Sequence, residues 1–195
     1  MKIENDTKTR ILEQALNQAS LYGLEALSIG KLAQEVNMSK SGIFGHFNSK
    51  ENLQIELLDY AAERFRKDVF KPALLKPKGK ERILTLAENW TLWTTNSLPG
   101  GCPILAAIME YDDRPGPVRD HFLKMIQTFH LSLVHMSEIA KQAGDFSGDV
   151  DSEQFAFEFF SLILGFHHAL RMLSAKNARK RFLKAIDSLI HLFSS

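Results

Sequence analysis

The sequence predicts an all-α protein. A small N-terminal bundle of three helices is expected, joined by a long helix to a larger C-terminal helical bundle. Three observations predict the fold. Apolar residues recur at helical spacing along most of the chain, no alternating strand pattern runs longer than a few residues, and the helical runs are separated by capping residues and Pro/Gly loops. With 45% apolar content over 195 residues, the chain can bury a core in one or two small domains. The expected division is 1–50 and 51–195.

Each element has its own signal. Residues 7–22 place Ile11, Leu12, Ala15, Leu16 and Ala19 at helical spacing and stop at Gly23, a favoured left-handed C-cap residue. Ser28 is the expected N-cap of a second helix with Ile29, Leu32, Ala33 and Val36 on its apolar side. Ser39 should cap a third, ending near His46. Asn48 with Glu51 forms an N-x-x-E start for a long fourth helix carrying Leu53, Leu57, Leu58, Ala61, Phe65 and Val69. Pro72, Pro77 and Gly79 read as the linker. Helices are then expected at about 81–97, 103–111, 118–143, 152–174 and 178–193.

Composition narrows the setting. The formal net charge of +1 steers the chain toward neither nucleic acid nor membrane, so any electrostatic partner must be met by a local patch. A single cysteine, Cys102, rules out an intrachain disulfide and fits a reduced cytoplasmic setting. The opening MKIENDTKTR has no apolar signal-peptide core, and no run approaches the roughly 18 apolar residues of a membrane span. No membrane partner is expected.

Residues 28–36, the turn Asn37-Met38 and residues 39–46 have the lengths of a helix-turn-helix. Packing Ile29, Leu32, Val36, Ile43 and Phe47 inward against Leu12 and Leu16 leaves Ser39, Lys40, Ser41, Gly42 and His46 outward, a set suited to phosphates and base edges. No acid lies between Val36 and Lys50. Helix starts at Ser28, Ser39 and Asn48 add backbone N–H groups for phosphates. Against this, residues 1–60 hold six Lys/Arg and eight Asp/Glu, a balance of −2. Phosphate neutralisation dominates DNA affinity, so such a headpiece would have to work in pairs. A corner of a helical core with incidental lysines is the other reading that spacing allows.

Residues 7–53, TKTRILEQALNQASLYGLEALSIGKLAQEVNMSKSGIFGHFNSKENL, resemble the N-terminal domain of TetR-type transcriptional repressors. The matching elements are the A-x-x-L-[FY]-x-x-x-G-like stretch 15–23, S-I-x-x-L-A-x-x-V at 28–36, S-K-S-G-I-F-x-H-F at 39–47 and S-K-E-x-L at 49–53. Residues 100–121, GGCPILAAIMEYDDRPGPVRDH, look more loosely like one branch of that family. The resemblance implies a homodimeric regulator that binds a double-stranded DNA operator and whose C-terminal helices hold a small-molecule effector. It also implies that Ser28, Ser39, Lys40, Ser41, Phe44, His46 and Lys50 approach the operator. Phe44 departs from the pattern. Many members have a tyrosine there whose hydroxyl meets a phosphate, which leaves Phe44 a sugar, a thymine methyl or the core. Gly45 costs the helix roughly 1 kcal/mol relative to alanine.

In the C-terminal part, FAFEFFSLILGF (155–166) is apolar on nearly every side, as in a helix buried all round. Phe160 and Leu164 on it, with Phe182, Ile186, Leu189, Ile190 and Phe193 of the last helix, are expected at a two-fold four-helix interface; intrachain core fits the same pattern. Trp90, Trp93, Cys102, Met109, Phe122, Met125, Phe129 and Phe159 are candidate walls of an effector pocket. His130 and His167 are its candidate polar anchors, a lining suited to an apolar or aromatic effector. Pro99-Gly100-Gly101 is a candidate hinge. The run Arg171, Lys176, Arg179, Lys180, Arg181, Lys184 reads as a solvated corner or a second nucleic-acid patch.

Other chemistries are poorly supported. Cys102 precedes Pro103 at an expected helix start, a setting that can lower a thiol pKa, although a buried structural role is commoner. His167 and His168 point about 100° apart on a helix, and His130 and His135 are poorly spaced for a shared ion, so neither metal nor cofactor is expected. No phosphate loop, G-x-S-x-G or H-E-x-x-H occurs. The chain is therefore not expected to be an enzyme. The alternatives are a cysteine-dependent enzyme and a small-molecule-binding helical module without DNA contact.

Overall fold

The computed structural model describes residues 2–194, with side chains from Thr7 onward. Among these the chain forms α1 (Lys2–Tyr22), α2 (Ile29–Glu35), α3 (Lys40–Phe47), α4 (Lys50–Phe65), α5 (Lys71–Leu74), α6 (Lys80–Leu92), α7 (Pro103–Tyr111), α8 (Pro117–Gln142), α9 (Ser152–Arg171) and α10 (Ala178–Phe193). Arg66–Phe70 and Trp93–Ser97 are wound as wider π turns. No strand occurs among the described residues, so the all-α expectation holds. None of these helices is long and apolar enough to cross a membrane.

Helix α1 starts at Lys2 rather than at residue 7 and α9 ends at Arg171 rather than at residue 174; two further differences have a local cause. Asn48 does not cap α4; it takes φ 63° and closes α3. The cap is Ser49, whose hydroxyl accepts the Asn52 amide at 3.0 Å. Two good capping side chains stand next to each other, and the one after the left-handed residue is used. Pro72 is not linker either. It lies in α5 just after the π turn, where the widened winding accommodates a residue lacking an N–H.

The chain divides into two compact units, Met1–Arg64 with Leu98–Leu123, and Phe65–Ser97 with Lys124–Ser195. In the first, Ile11, Ala15, Leu16 and Ala19 of α1, Leu32 of α2, Ile43 of α3 and Leu53 of α4 are all fully buried. Burying each large aliphatic side chain stabilises the fold by about 1.5–3 kcal/mol. Ile29, expected inward, is only half-buried because it opens α2. Beside α7, the Gly100 amide donates to Ser20 Oγ at 3.1 Å.

The second unit is built on aromatic contacts. Phe155 of α9 meets Phe146, Phe159 and Phe193 with ring centroids 5.2–5.9 Å apart, and Phe166 stacks on Phe182 at 4.9 Å. Another cluster joins Phe65, Phe70, Trp90, Trp93 and Phe129 through edge-to-face contacts at 4.7–6.3 Å, the geometry that the ring quadrupole favours. Trp90 Nε1 is buried there with no hydrogen-bond partner.

Candidate nucleic-acid interface

Local capping sets the geometry of the helix-turn-helix. Ser28 Oγ accepts the Lys31 amide at 3.3 Å and starts α2. Asn37, at φ 54°, turns the chain while the Met38 amide donates back to the Ala33 carbonyl at 2.8 Å. Ser39 Oγ accepts the Gly42 amide at 3.0 Å and lies 2.9 Å from Ser41 Oγ, so α3 begins on a satisfied cap. Ile43 and Phe47 are buried. Their two positions account for the whole inward face of this short helix.

The remaining α3 side chains stay outside that core. Ser39, Lys40, Ser41 and Gly45 are exposed, Phe44 is 44% exposed, and Gly42 and His46 are half-buried. Phe44 is thus a surface aromatic here rather than core. Ser28 is exposed as well. The Lys40 side chain runs across Gly30, where an added Cβ would lie 2.9 Å from Lys40 Cε. Gly30 therefore leaves room for this lysine, a role the sequence did not suggest. Lys31, with Nζ 4.5 Å from the Tyr22 ring centroid, is a further exposed cation overlooked at that level.

Lys50 is placed differently from Lys40. Its Nζ donates to the Glu25 carbonyl at 2.6 Å and lies 3.7 Å from the Glu25 carboxylate, so it is already held inside the unit. Three other acids of the headpiece also have partners. Glu56 pairs with Lys8, Glu35 accepts the Gln18 amide, and Glu13 accepts the Tyr60 hydroxyl. Lys8 and Lys50 are already counted among the six cations, so these pairings leave the balance of −2 in place.

Behind this corner lies a partly buried polar network centred on Tyr111 and Gln54. The Tyr111 hydroxyl donates to Glu25 at 3.0 Å, and Gln54 Nε2 donates to the Tyr111 oxygen at 3.1 Å and to the Leu24 carbonyl at 3.0 Å. Arg114 pairs with Glu25 at 3.0 Å. The Glu110 carboxylate accepts the amides of Leu24 and Glu25, and Gly23, at φ 92°, leaves the space it occupies. Burial pushes the Glu25 carboxyl up, but hydrogen bonds from Tyr111 and Gln54 and the charges of Lys50 and Arg114 bring it below its usual value. Burial and the bond to Glu25 push the Tyr111 hydroxyl up. An open cleft of about 400 Å³ adjoins these groups.

The effector candidates fall in both units. Cys102, Met109 and Phe122 belong to the first and the other seven to the second. Cys102 is buried at the N-cap of α7, Phe122 is buried, and Met109 is 67% exposed on α7. Trp90, Trp93 and Phe159 are buried, and Met125 is half-buried. Phe129, His130 and Phe160 come together with Ile126, Gln127 and Leu131 along a groove of about 530 Å³, where His130 is paired with Glu153 at 2.8 Å. Burial, then Arg171 and His168, lower the pKa of the half-buried His167.

The interface candidates divide too. Phe182, Ile186, Leu189, Ile190 and Phe193 are buried within their own chain, whereas Phe160 and Leu164 are half-buried. The apolar surface left open in this unit includes Phe157, Leu131 and Leu192, each more than 60% exposed.

Residues 11–57 match the family model described as bacterial regulatory proteins, tetR family, and residues 79–186 match the tetracyclin repressor-like C-terminal domain. No curated protein matches the chain. Among solved structures, a TetR transcriptional regulator from Chloroflexus aurantiacus is 24% identical over 98% of this chain and 97% of its own, with a TM-score of 0.88. A transcriptional regulator from Saccharomonospora viridis in complex with choline is 19% identical over 96% of each chain, with a TM-score of 0.80. AibR, in complex with isovaleryl coenzyme A and operator DNA, is 20% identical over 96% of this chain and 98% of its own, with a TM-score of 0.74. At these identities the likeness is one of fold.

Proposed function

The chain belongs to the TetR family of bacterial regulatory proteins, and from that premise we propose a cytoplasmic repressor that binds a near-palindromic operator as a homodimer and is released by a small apolar or aromatic effector. As a member of this family it is a transcriptional regulator, not an enzyme. The DNA-binding domain in this reading is 1–50, and 51–195 binds the effector and dimerises. The observation that carries it is the outer face of α3, where Ser39, Lys40, Ser41, Phe44 and His46 surround a helix held from behind by Ile43 and Phe47. Two such helices in successive major grooves would sit about 34–36 Å apart.

Support for the effector half comes from the aromatic lining. The groove between Phe129 and Phe160 offers an apolar wall with His130 at its rim, and Phe129 packs directly on Trp90, whose indole N–H has no acceptor. An apolar effector carrying one acceptor atom would suit that lining. For release, the effector must bind the state that does not bind DNA more tightly, because equal affinity shifts nothing.

Lys40 and Lys50 test the docking. Lys40→Ala should lower operator affinity several-fold at about 0.15 M salt and flatten the salt dependence by about one unit of slope, as loss of one phosphate contact does. Lys50→Ala should act more weakly, because Lys50 already serves Glu25. Both variants should remain dimeric by sedimentation. Gel-shift titrations in which Lys40→Ala keeps the wild-type affinity and slope would sink this docking.

A further inference from the structure

We infer that the α9–α10 corner is a second DNA-binding surface, which grips the phosphate backbone without reading sequence. Between Glu158 and Asp187 the chain has no acid, yet it carries Arg171, Lys176, Arg179, Lys180, Arg181 and Lys184. All six are exposed, and none is in an ion pair among the described residues. Without them, the remaining 18 cations face 23 acids, a balance of −5. The net charge of +1 therefore conceals a concentrated positive run at this corner; unlike the other cation-rich stretch, residues 64–82 with Asp68 and Glu81, it contains no acid.

The cations are also placed where the fold disfavours them. Arg179, Lys180 and Arg181 occupy the first turn of α10, which has no acid there and no side-chain cap from Asn177. A helix N-terminus is its positive end, so three cations there repel both the helix dipole and one another. A bound polyanion relieves both effects. Arg179 is aimed by a hydrogen bond to Thr91 at 3.0 Å, while Lys176, Lys180 and Arg181 make no such bond to the protein.

Duplex DNA fits this patch better than a membrane does. Met172 and Leu173 are 74% and 63% exposed at the corner, but two side chains are too few to anchor a helix in lipid, which needs a continuous apolar stripe. The apolar residues of α10 are committed to the core instead. A sequence-independent grip also supplies what the headpiece lacks, since residues 1–60 carry fewer cations than acids and phosphate neutralisation dominates affinity.

The inference takes only its polyanion from the proposed function, and the two can fail separately. The test uses full-length protein and a mixed-sequence duplex of about 40 base pairs lacking the operator, titrated over a range of salt concentrations. The variant Lys176→Gln/Lys180→Gln/Arg181→Gln should bind at least about tenfold more weakly near 0.15 M salt, with the log-log salt slope reduced by up to about 2.7. The charge-preserving variant Lys176→Arg/Lys180→Arg/Arg181→Lys should behave as wild type. If the triple glutamine variant unfolds, Lys180→Gln alone decides, with an expected loss of about 0.9 in slope. Wild-type affinity and slope in the neutralised variant overturn the inference and leave the α3 docking standing. Wild-type protein that does not bind this duplex even at low salt also overturns the inference, whereas the proposed function fails only if operator DNA is not bound either. Binding to phosphatidylglycerol vesicles that the neutralisation abolishes, with DNA binding unchanged, reassigns the corner to a membrane and also overturns it.

Discussion

Gly100→Ala should destabilise the protein by about 2–3 kcal/mol, lowering the unfolding temperature by roughly 4–10 °C for a chain of this size. A Cβ at position 100 would stand 1.8 Å from the Ser20 carbonyl oxygen and 2.5 Å from the Leu21 amide nitrogen. Both are backbone atoms of α1, so no side-chain rotation can make room. The gain of about 0.4–1 kcal/mol from restricting the unfolded chain is too small to compensate. Gly45→Ala is the matched control, because nothing lies within 4 Å of the added carbon; there the higher helix propensity should make the change neutral or stabilising. Thermal unfolding of both variants settles the comparison, and an unchanged midpoint for Gly100→Ala would mean that the segment ahead of α7 yields easily.

Tyr111→Phe should cost about 1–2 kcal/mol and change how stability responds to acid. The lost hydroxyl both donates to Glu25 and accepts from Gln54, and Tyr111 and Gln54 are only 4% and 2% exposed, so water replaces neither bond easily. Glu25 titrates below its usual 4.5 in the folded protein. Its contribution is therefore present above about pH 4.5 and is lost as pH falls through the lower folded value. Without the Tyr111 hydroxyl that lowering is smaller, so the unfolding temperature of the variant should fall less steeply than wild type between about pH 6 and 3. Identical acid sensitivity in the two proteins would show that Gln54, Lys50 and Arg114 hold Glu25 unaided.

These two predictions mark the limit of what the sequence revealed. α2, α3, α7 and α10 were legible because each has a local signal: Ser28 and Ser39 as caps, Pro103 as a helix start, and the repeating spacing of Phe182, Ile186, Leu189 and Phe193. The outer face of α3 followed by subtraction once Ile43 and Phe47 were assigned inward. The cap at Ser49 rather than Asn48 was not legible, since adjacent residues of equal capping power differ only in the backbone angle that the turn imposes. Pro72 looked like a breaker because a π turn leaves no mark of its own in the sequence. The Glu25–Gln54–Tyr111 network spans up to 86 residues and has no periodicity to betray it. The apolar spacing of α10 was visible, but spacing cannot say whether such a face meets its own chain or another; the five α10 residues among the seven expected at the interface are buried within their own chain.

The aromatic cluster of the second unit has a practical consequence. Trp90 and Trp93 are the only tryptophans in the chain, and both belong to that unit. The three tyrosines, Tyr22, Tyr60 and Tyr111, all belong to the first. Indole emission excited at the red edge, where tyrosine does not absorb, therefore reports the second unit alone. The native protein thus carries an optical probe confined to one unit, so a titration or a melt can be followed there with no label attached.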